Sequence, residues 1–282
     1  MNVCFSESGP TSFDVQDLMV LVFLLLVGAD SCDWDQYDRP IGGIVDFCYT
    51  SFDMGGNAMR PLEETKQMLI EVAIHEMGHI LGLRSKDLAF YYDRLTGLPR
   101  TPGPKIPDPN IECINGKKAS DMNKEVYRPS ESTLKFGAIY PGIKYYEVVT
   151  PTVRRVARNH FNCPNMRGLR LENQPTSGDC FGDHWEERLA WDSSMSGTLT
   201  PGSIPEFLSP FTLALLQDSG WYKANFTMSR NPSFGFGAGC QFVEKPCVVD
   251  GVPTSPQFCN TTDKVTVKCD PVREQKTAKE KV

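Results

Sequence analysis

The segment His75-Glu76-Met77-Gly78-His79 sets two imidazoles four residues apart with a carboxylate between them. On an α-helix, positions four apart lie on one face about a turn from each other, so both rings can reach a single cation. Zinc takes nitrogen and sulfur ligands in tetrahedral geometry, and a catalytic zinc uses three protein ligands and leaves a fourth position to water. Such an ion acidifies water and polarises a scissile carbonyl, while a nearby carboxylate takes the water's proton and hands it to the leaving amine. The pattern implies one Zn2+ per chain, bound by His75 and His79, with Glu76 as general base. Only four histidines occur in the chain, so this bracketing of a glutamate rarely arises by composition alone. A third ligand must come from His160, His184 or a carboxylate.

Those side chains need a helix to carry them, and the sequence supplies one. Pro61 opens a helical pattern where its missing N–H costs nothing, and Glu63 and Glu64 favour the positive end of the helix. Met68, Leu69, Val72, Ala73, Met77, Ile80 and Leu81 follow helical spacing, and Gly82 ends the run. Gly78 is costly inside a helix and implies that something packs closely there. Ahead of the helix, Ile41 to Tyr49 is short and β-branched and reads as a strand, bounded by Pro40 and by Asp53-Met-Gly-Gly56. The apolar run Leu18 to Val27 is too short to span a bilayer. It reads as a buried strand rather than a signal-peptide core, because no Lys or Arg precedes Arg39 and Glu7, Asp14 and Asp17 are acidic. Downstream, Pro99 to Pro109 reads as a surface loop, and Pro151 to Phe161 and Phe207 to Gly220 as helices.

Composition narrows the classes. The chain has 282 residues, 40% of them hydrophobic and 23% charged, values ordinary for a globular protein with a substantial core. A net charge of −6 and the lack of a compact basic run outside the tail exclude a general nucleic-acid binder. Ten cysteines with no C-x-x-C pair read as a disulfide framework, hence an oxidising compartment. The acceptor tripeptides at Asn225 and Asn260 agree with secretion to the extracellular space. No apolar C-terminal tail supports a lipid anchor, so membrane association has no basis in this chain.

After His79 the chain runs Ile-Leu-Gly82-Leu-Arg-Ser85. H-E-x-x-H-x-x-G resembles the metzincin signature, in which a third His normally stands three residues after the glycine, where this chain has Ser85. The leishmanolysin-like peptidases are the metzincins in which that His is displaced by a long insertion, and the sequence from about residue 15 to 250 resembles them. His184-Trp185-Glu186-Glu187-Arg188 followed by Met195-Ser-Gly197 is similar to the family's H-W-E-x-R segment and methionine turn. Arg155 to Cys163 is similar to its A-R-x-H-F-x-C helix, and Arg39 to Gly43 to its R-P-x-x-G strand. The resemblance implies His75, His79 and His184 as zinc ligands, Glu76 as base and Met195 as the methionine beneath the metal. On this basis His160 and Trp185 are expected to be structural, and Glu186, Glu187 and Asp192 to stand outside the catalytic set.

The implied architecture is α+β: a zincin-like catalytic lobe with a twisted sheet and the active-site helix, plus disulfide-stapled central and C-terminal lobes. The expected regions are 1–84, with the helix; 85–198, with the insertion, third ligand and methionine turn; 199–270, rich in cysteine; and a disordered tail, 271–282. The function implied is a zinc-dependent endopeptidase acting on protein or peptide substrates, which would pair with an edge strand near Ile41 to Cys48. A non-catalytic zinc-binding adhesion module of the same fold is the alternative, and Glu76 argues against it because a binder needs no base. A zinc hydrolase acting on a non-peptide substrate would use the same chemistry in a different cleft.

Overall fold

A computed structural model describes residues 27–47, 62–139, 143–173, 180–197, 208–258, 267–269 and 276–278. It is a mixed helix and sheet structure with two disulfides among the described residues, in keeping with the α+β class.

Strands β1 (Val27–Trp34) and β2 (Pro40–Phe47) form an antiparallel ribbon. Its turn is built around Asp35, whose Oδ1 accepts the N–H groups of Tyr37 and Arg39 and whose Oδ2 meets Arg39 Nε at 2.9 Å. Helix α1 (Leu62–Ile80) lies against this ribbon. A Cβ on Gly43 would sit 2.5 Å from the Ile80 side chain, so the second glycine of Pro40-Ile-Gly-Gly43 lets the strand approach the helix end. Ser31 Oγ donates to the Ile80 carbonyl at 3.1 Å, satisfying one of the acceptors left free where the helix stops. Gly82 ends it in the left-handed region at φ +108°, with Leu83 N–H bonded back to Gly78 O and Gly82 N–H to His79 O, each at 3.0 Å. That paired arrangement needs a residue free of a Cβ penalty.

The helix buries Val72, His75, Glu76, Gly78 and His79, whereas Ile70, Ile74 and Met77 are exposed. Met77, expected on the apolar face, therefore points away from the interior. The polar site itself occupies the buried side, because His75 and His79 share one face and Met77 sits between them in sequence on another. Among the expected strands, Ile41 to Phe47 falls within β2, while Cys48 and Tyr49 and all of the Leu18 to Val27 run except Val27 lie outside the described residues.

The rest of the chain forms a second packed region. Strands β3 (Leu134–Ile139), β4 (Ile143–Val148) and β5 (Leu169–Arg170) make an antiparallel sheet in that order. Helix α2 (Pro151–Phe161) begins at its proline as the sequence predicts. Its first N–H groups, of Thr152 and Val153, donate to Asp218 Oδ2 at 2.6 and 3.1 Å. Asp218 is the last residue of α4 (Pro210–Asp218), a shorter helix than the expected Phe207 to Gly220. The short helix α3 (Glu187–Ala190) follows His184, and α5 (Gly239–Glu244) closes the core, where Phe161 stacks with Phe211 and Phe242, both at 5.8 Å. Trp185 is fully buried and donates its indole N–H to Thr212 Oγ1 at 3.1 Å.

Disulfides join Cys113 to Cys180 and Cys163 to Cys240. Cys32 and Cys247 carry free thiols, so the expected framework does not extend to every described cysteine. Lys276–Ala278 pairs antiparallel with Val267–Cys269. No helix among the described residues is long and apolar enough to cross a membrane.

Candidate metal centre

His75 and His79 project from one face of α1, and the chain brings His184 to meet them. The three Nε2 atoms form a triangle with sides of 3.1, 3.1 and 3.2 Å. Tetrahedral zinc with its nitrogens at 2.0–2.1 Å sets neighbouring ligand atoms about 3.3 Å apart, so the triangle has nearly the spacing this ion demands.

The other nitrogen of each ring fixes what those Nε2 atoms are. His75 Nδ1 lies 2.7 Å from Ser194 O, and His79 Nδ1 lies 2.9 Å from Leu83 O. A carbonyl only accepts, so each Nδ1 carries the proton and each Nε2 presents a lone pair. His184 Nδ1 lies 2.8 Å from Glu172 Oε1. Burial pushes the Glu172 carboxyl up, but the hydrogen bonds it accepts from His184 and from Asp183 N–H outweigh it and hold that carboxyl below its ordinary value. It is therefore the acceptor, and His184 Nε2 also points its lone pair inward. Three lone pairs facing one another repel unless a cation lies between them, which is the requirement of a metal site. Burial, followed by the charges of neighbouring histidines, depresses His75 well below the ordinary imidazole range and lowers His79 to about 4. Neutral rings are the ligand form.

Glu76 is buried beside this triangle. Burial raises its carboxyl above the ordinary value, against the opposing charge of His184. A carboxylate so placed is desolvated and has a strengthened tendency to take up a proton.

Met195 lies under the helix. It is buried, its carbonyl accepts Trp185 N–H at 2.8 Å, and the preceding carbonyl, of Ser194, holds His75. The turn thus grips the ribbon that carries His184 and one ring on α1 together. Arg188 points away from the metal group: it donates to the Phe242 and Val243 carbonyls at 2.5 and 3.3 Å and lies over the Phe258 ring. His160 is elsewhere, packed against Phe211, with Nε2 donating to Phe234 O at 3.0 Å. Asp192 Oδ2 anchors the same loop through Ser233 and Phe234 N–H at 2.7 and 3.2 Å, and Glu186 caps α3. A second grouping, Cys163, Cys240 and Glu244, offers no thiolate because its cysteines are bonded to each other.

Four participants had no signal in the sequence. Glu172 reaches His184 from twelve positions upstream, the Ser194 and Leu83 contacts are made by backbone oxygens, and Asp183 Oδ1 accepts Ser85 N–H at 2.5 Å. Arg84, next to Ser85, is buried and forks onto Asp87 while reaching Asp30 and Ser31 of β1.

The sequence was also compared with known proteins. The sequence model of the leishmanolysin family matches residues 142–278. A leishmanolysin-like peptidase of Drosophila pseudoobscura pseudoobscura is 34% identical over 218 residues, 74% of this chain and 29% of that relative. One from Caenorhabditis elegans is 32% identical over 217 residues, 75% of this chain and 30% of its own length. Leishmanolysin of Leishmania donovani is 27% identical over 204 residues, 72% of this chain and 27% of that protein. The chain therefore spans less than a third of these relatives. At 34% identity over 74% of its length to a leishmanolysin-like peptidase, and with the family's sequence model matching its second half, the chain belongs to the leishmanolysin family.

Proposed function

We propose that the protein is a zinc-dependent endopeptidase, with His75, His79 and His184 as ligands of one zinc and Glu76 as general base. The observation that carries this reading is the convergence of three Nε2 lone pairs at 3.1 to 3.2 Å, each ring fixed in the ligand tautomer from behind. When bound, zinc supplies Lewis-acid polarisation of the scissile carbonyl and acidifies the attacking water. Glu76 takes a proton from that water as its oxygen bonds to the carbonyl carbon. The same carboxyl then delivers the proton to the amide nitrogen as the C–N bond breaks, which lets the amine leave uncharged. With each Nδ1 held by an acceptor, Nε2 is the atom by which His75, His79 and His184 would hold the ion. Glu76 also weighs against a purely adhesive module, which would have no use for a buried base.

The substrate class is protein or peptide, laid along the free edge of β2 with its backbone paired to the strand. Around this centre the chain divides into the catalytic lobe through residue 84, the insertion-bearing region to 198 and the cysteine-rich remainder. The two disulfides support an oxidising, extracellular location.

Metal analysis of the purified protein, paired with casein and gelatin hydrolysis before and after chelation, tests this. About one zinc per chain and activity lost to chelator and restored by zinc are expected. Active protein without zinc would refute it.

A further inference from the structure

We propose that Glu172 is a positioning residue for the metal centre, orienting His184 through its carboxylate and compensating for the third ligand's having no helix of its own. This rests on the reading of His184 as a zinc ligand.

The two helical ligands are placed by α1 and steadied by backbone carbonyls. His184 sits in an irregular stretch, its side chain 22% exposed, and its Nδ1–H is held by a carboxylate. One oxygen of Glu172 takes two bonds, from His184 Nδ1 at 2.8 Å and from Asp183 N–H at 3.0 Å. Backbone closes the other side of the loop, with Glu172 N–H donating to His184 O at 2.9 Å. Glu172 and His184 are thus joined by both main chain and side chain.

Two glycines make room for this contact. A Cβ on Gly182, itself at φ +84°, would meet the Glu172 carbonyl at 2.5 Å and Cγ at 2.6 Å. A Cβ on Gly197 would lie 2.7 Å from Glu172 Oε2 and 3.6 Å from His184 Nδ1. The glycines on either side of the third ligand therefore leave Glu172 space to pass between the ribbon and the methionine turn. A carboxylate behind a ligating histidine fixes its tautomer and ring orientation and makes its free nitrogen a better donor.

The test measures zinc affinity by chelator competition in Glu172→Ala, Glu172→Gln and His184→Ala. Cobalt-substituted absorption spectra and separate kcat and KM values complete it. Glu172→Ala is expected to bind zinc about 10- to 100-fold more weakly than the native chain. Glu172→Gln keeps an acceptor oxygen but not the charge, so it should lose less affinity and show a shifted cobalt band. With zinc saturating, its kcat should fall while KM stays put. Circular dichroism of the metal-free variants separates these effects from misfolding, and should Glu172→Ala fail to fold, Glu172→Gln decides alone. Native zinc affinity and an unshifted cobalt band in Glu172→Gln, with His184→Ala stripped of metal, would overturn the role of Glu172. Native affinity in His184→Ala would instead overturn the metal centre on which the proposal rests.

Discussion

Gly78 and Met195 meet where only a hydrogen fits: a Cβ on Gly78 would lie 2.4 Å from the Met195 sulfur. In an exposed helix, Gly→Ala gains about 1 kcal/mol. Here the gain must be set against displacing a methionine that is 1% exposed. Gly78→Ala is therefore expected to lower stability in the native background and to raise it alongside Met195→Ala. A urea double-mutant cycle should give a coupling of about 1 kcal/mol or more. Additive effects would mean that the methionine moves aside freely.

Replacing Glu76 with glutamine keeps the shape of the side chain but removes its capacity to accept a proton. Turnover of a fluorogenic peptide is expected to fall by about 10² to 10⁴, with zinc content unchanged. Near-native turnover would assign the base to another group.

His184→Ala and His160→Ala separate the two histidines outside the helix. Loss of His184 leaves two zinc ligands, so metal and activity should both disappear. Loss of His160, which packs against Phe211 away from the triangle, should leave zinc content intact. Zinc retained in the first variant and lost in the second would reverse the assignment.

The pH dependence of stability offers a check on His160 itself. Burial holds its pKa below the ordinary 6.5, against the opposing pull of the Phe234 carbonyl and Asp192. Below pH 6.5 the unfolded chain thus binds a proton that the folded chain refuses, and the stability associated with the neutral ring declines as the solution is acidified. His160→Gln does not titrate. The stability advantage of the native protein over this variant should narrow from pH 7.5 to 5.5 in urea unfolding. An advantage that widens on acidification would show that the ring is charged in the fold.

Much of the centre was legible because its residues repeat at helical spacing. His75, Glu76 and His79 are close in sequence, and Gly78 signalled a close neighbour before that neighbour could be identified. Resemblance alone supplied His184 and Met195, since nothing in composition connects residues 105 positions apart. Glu172 stayed hidden because its contacts with Asp183 and His184 are made across the chain and leave no periodic trace in the sequence. The exposure of Met77 was missed for a related reason: hydrophobic spacing describes which residues share a face, and a buried polar site can claim that face instead.

Ser85 stands where a shorter relative would carry its third ligand, and its N–H is bonded to Asp183, the immediate neighbour of His184. The return of the chain to the metal centre is tied at that bond, and the excursion between the two residues is also held by Tyr91 Oη donating to Gly82 O and by the Cys163–Cys240 disulfide. Closing a longer flexible loop costs only about 0.6 kcal/mol per doubling. Exposed stretches within it, such as the segment around Leu95 and Leu98, are places where residues could be added or removed while His184 keeps its address. Such additions would leave the bond from Ser85 to Asp183, and with it the approach of His184, where it is.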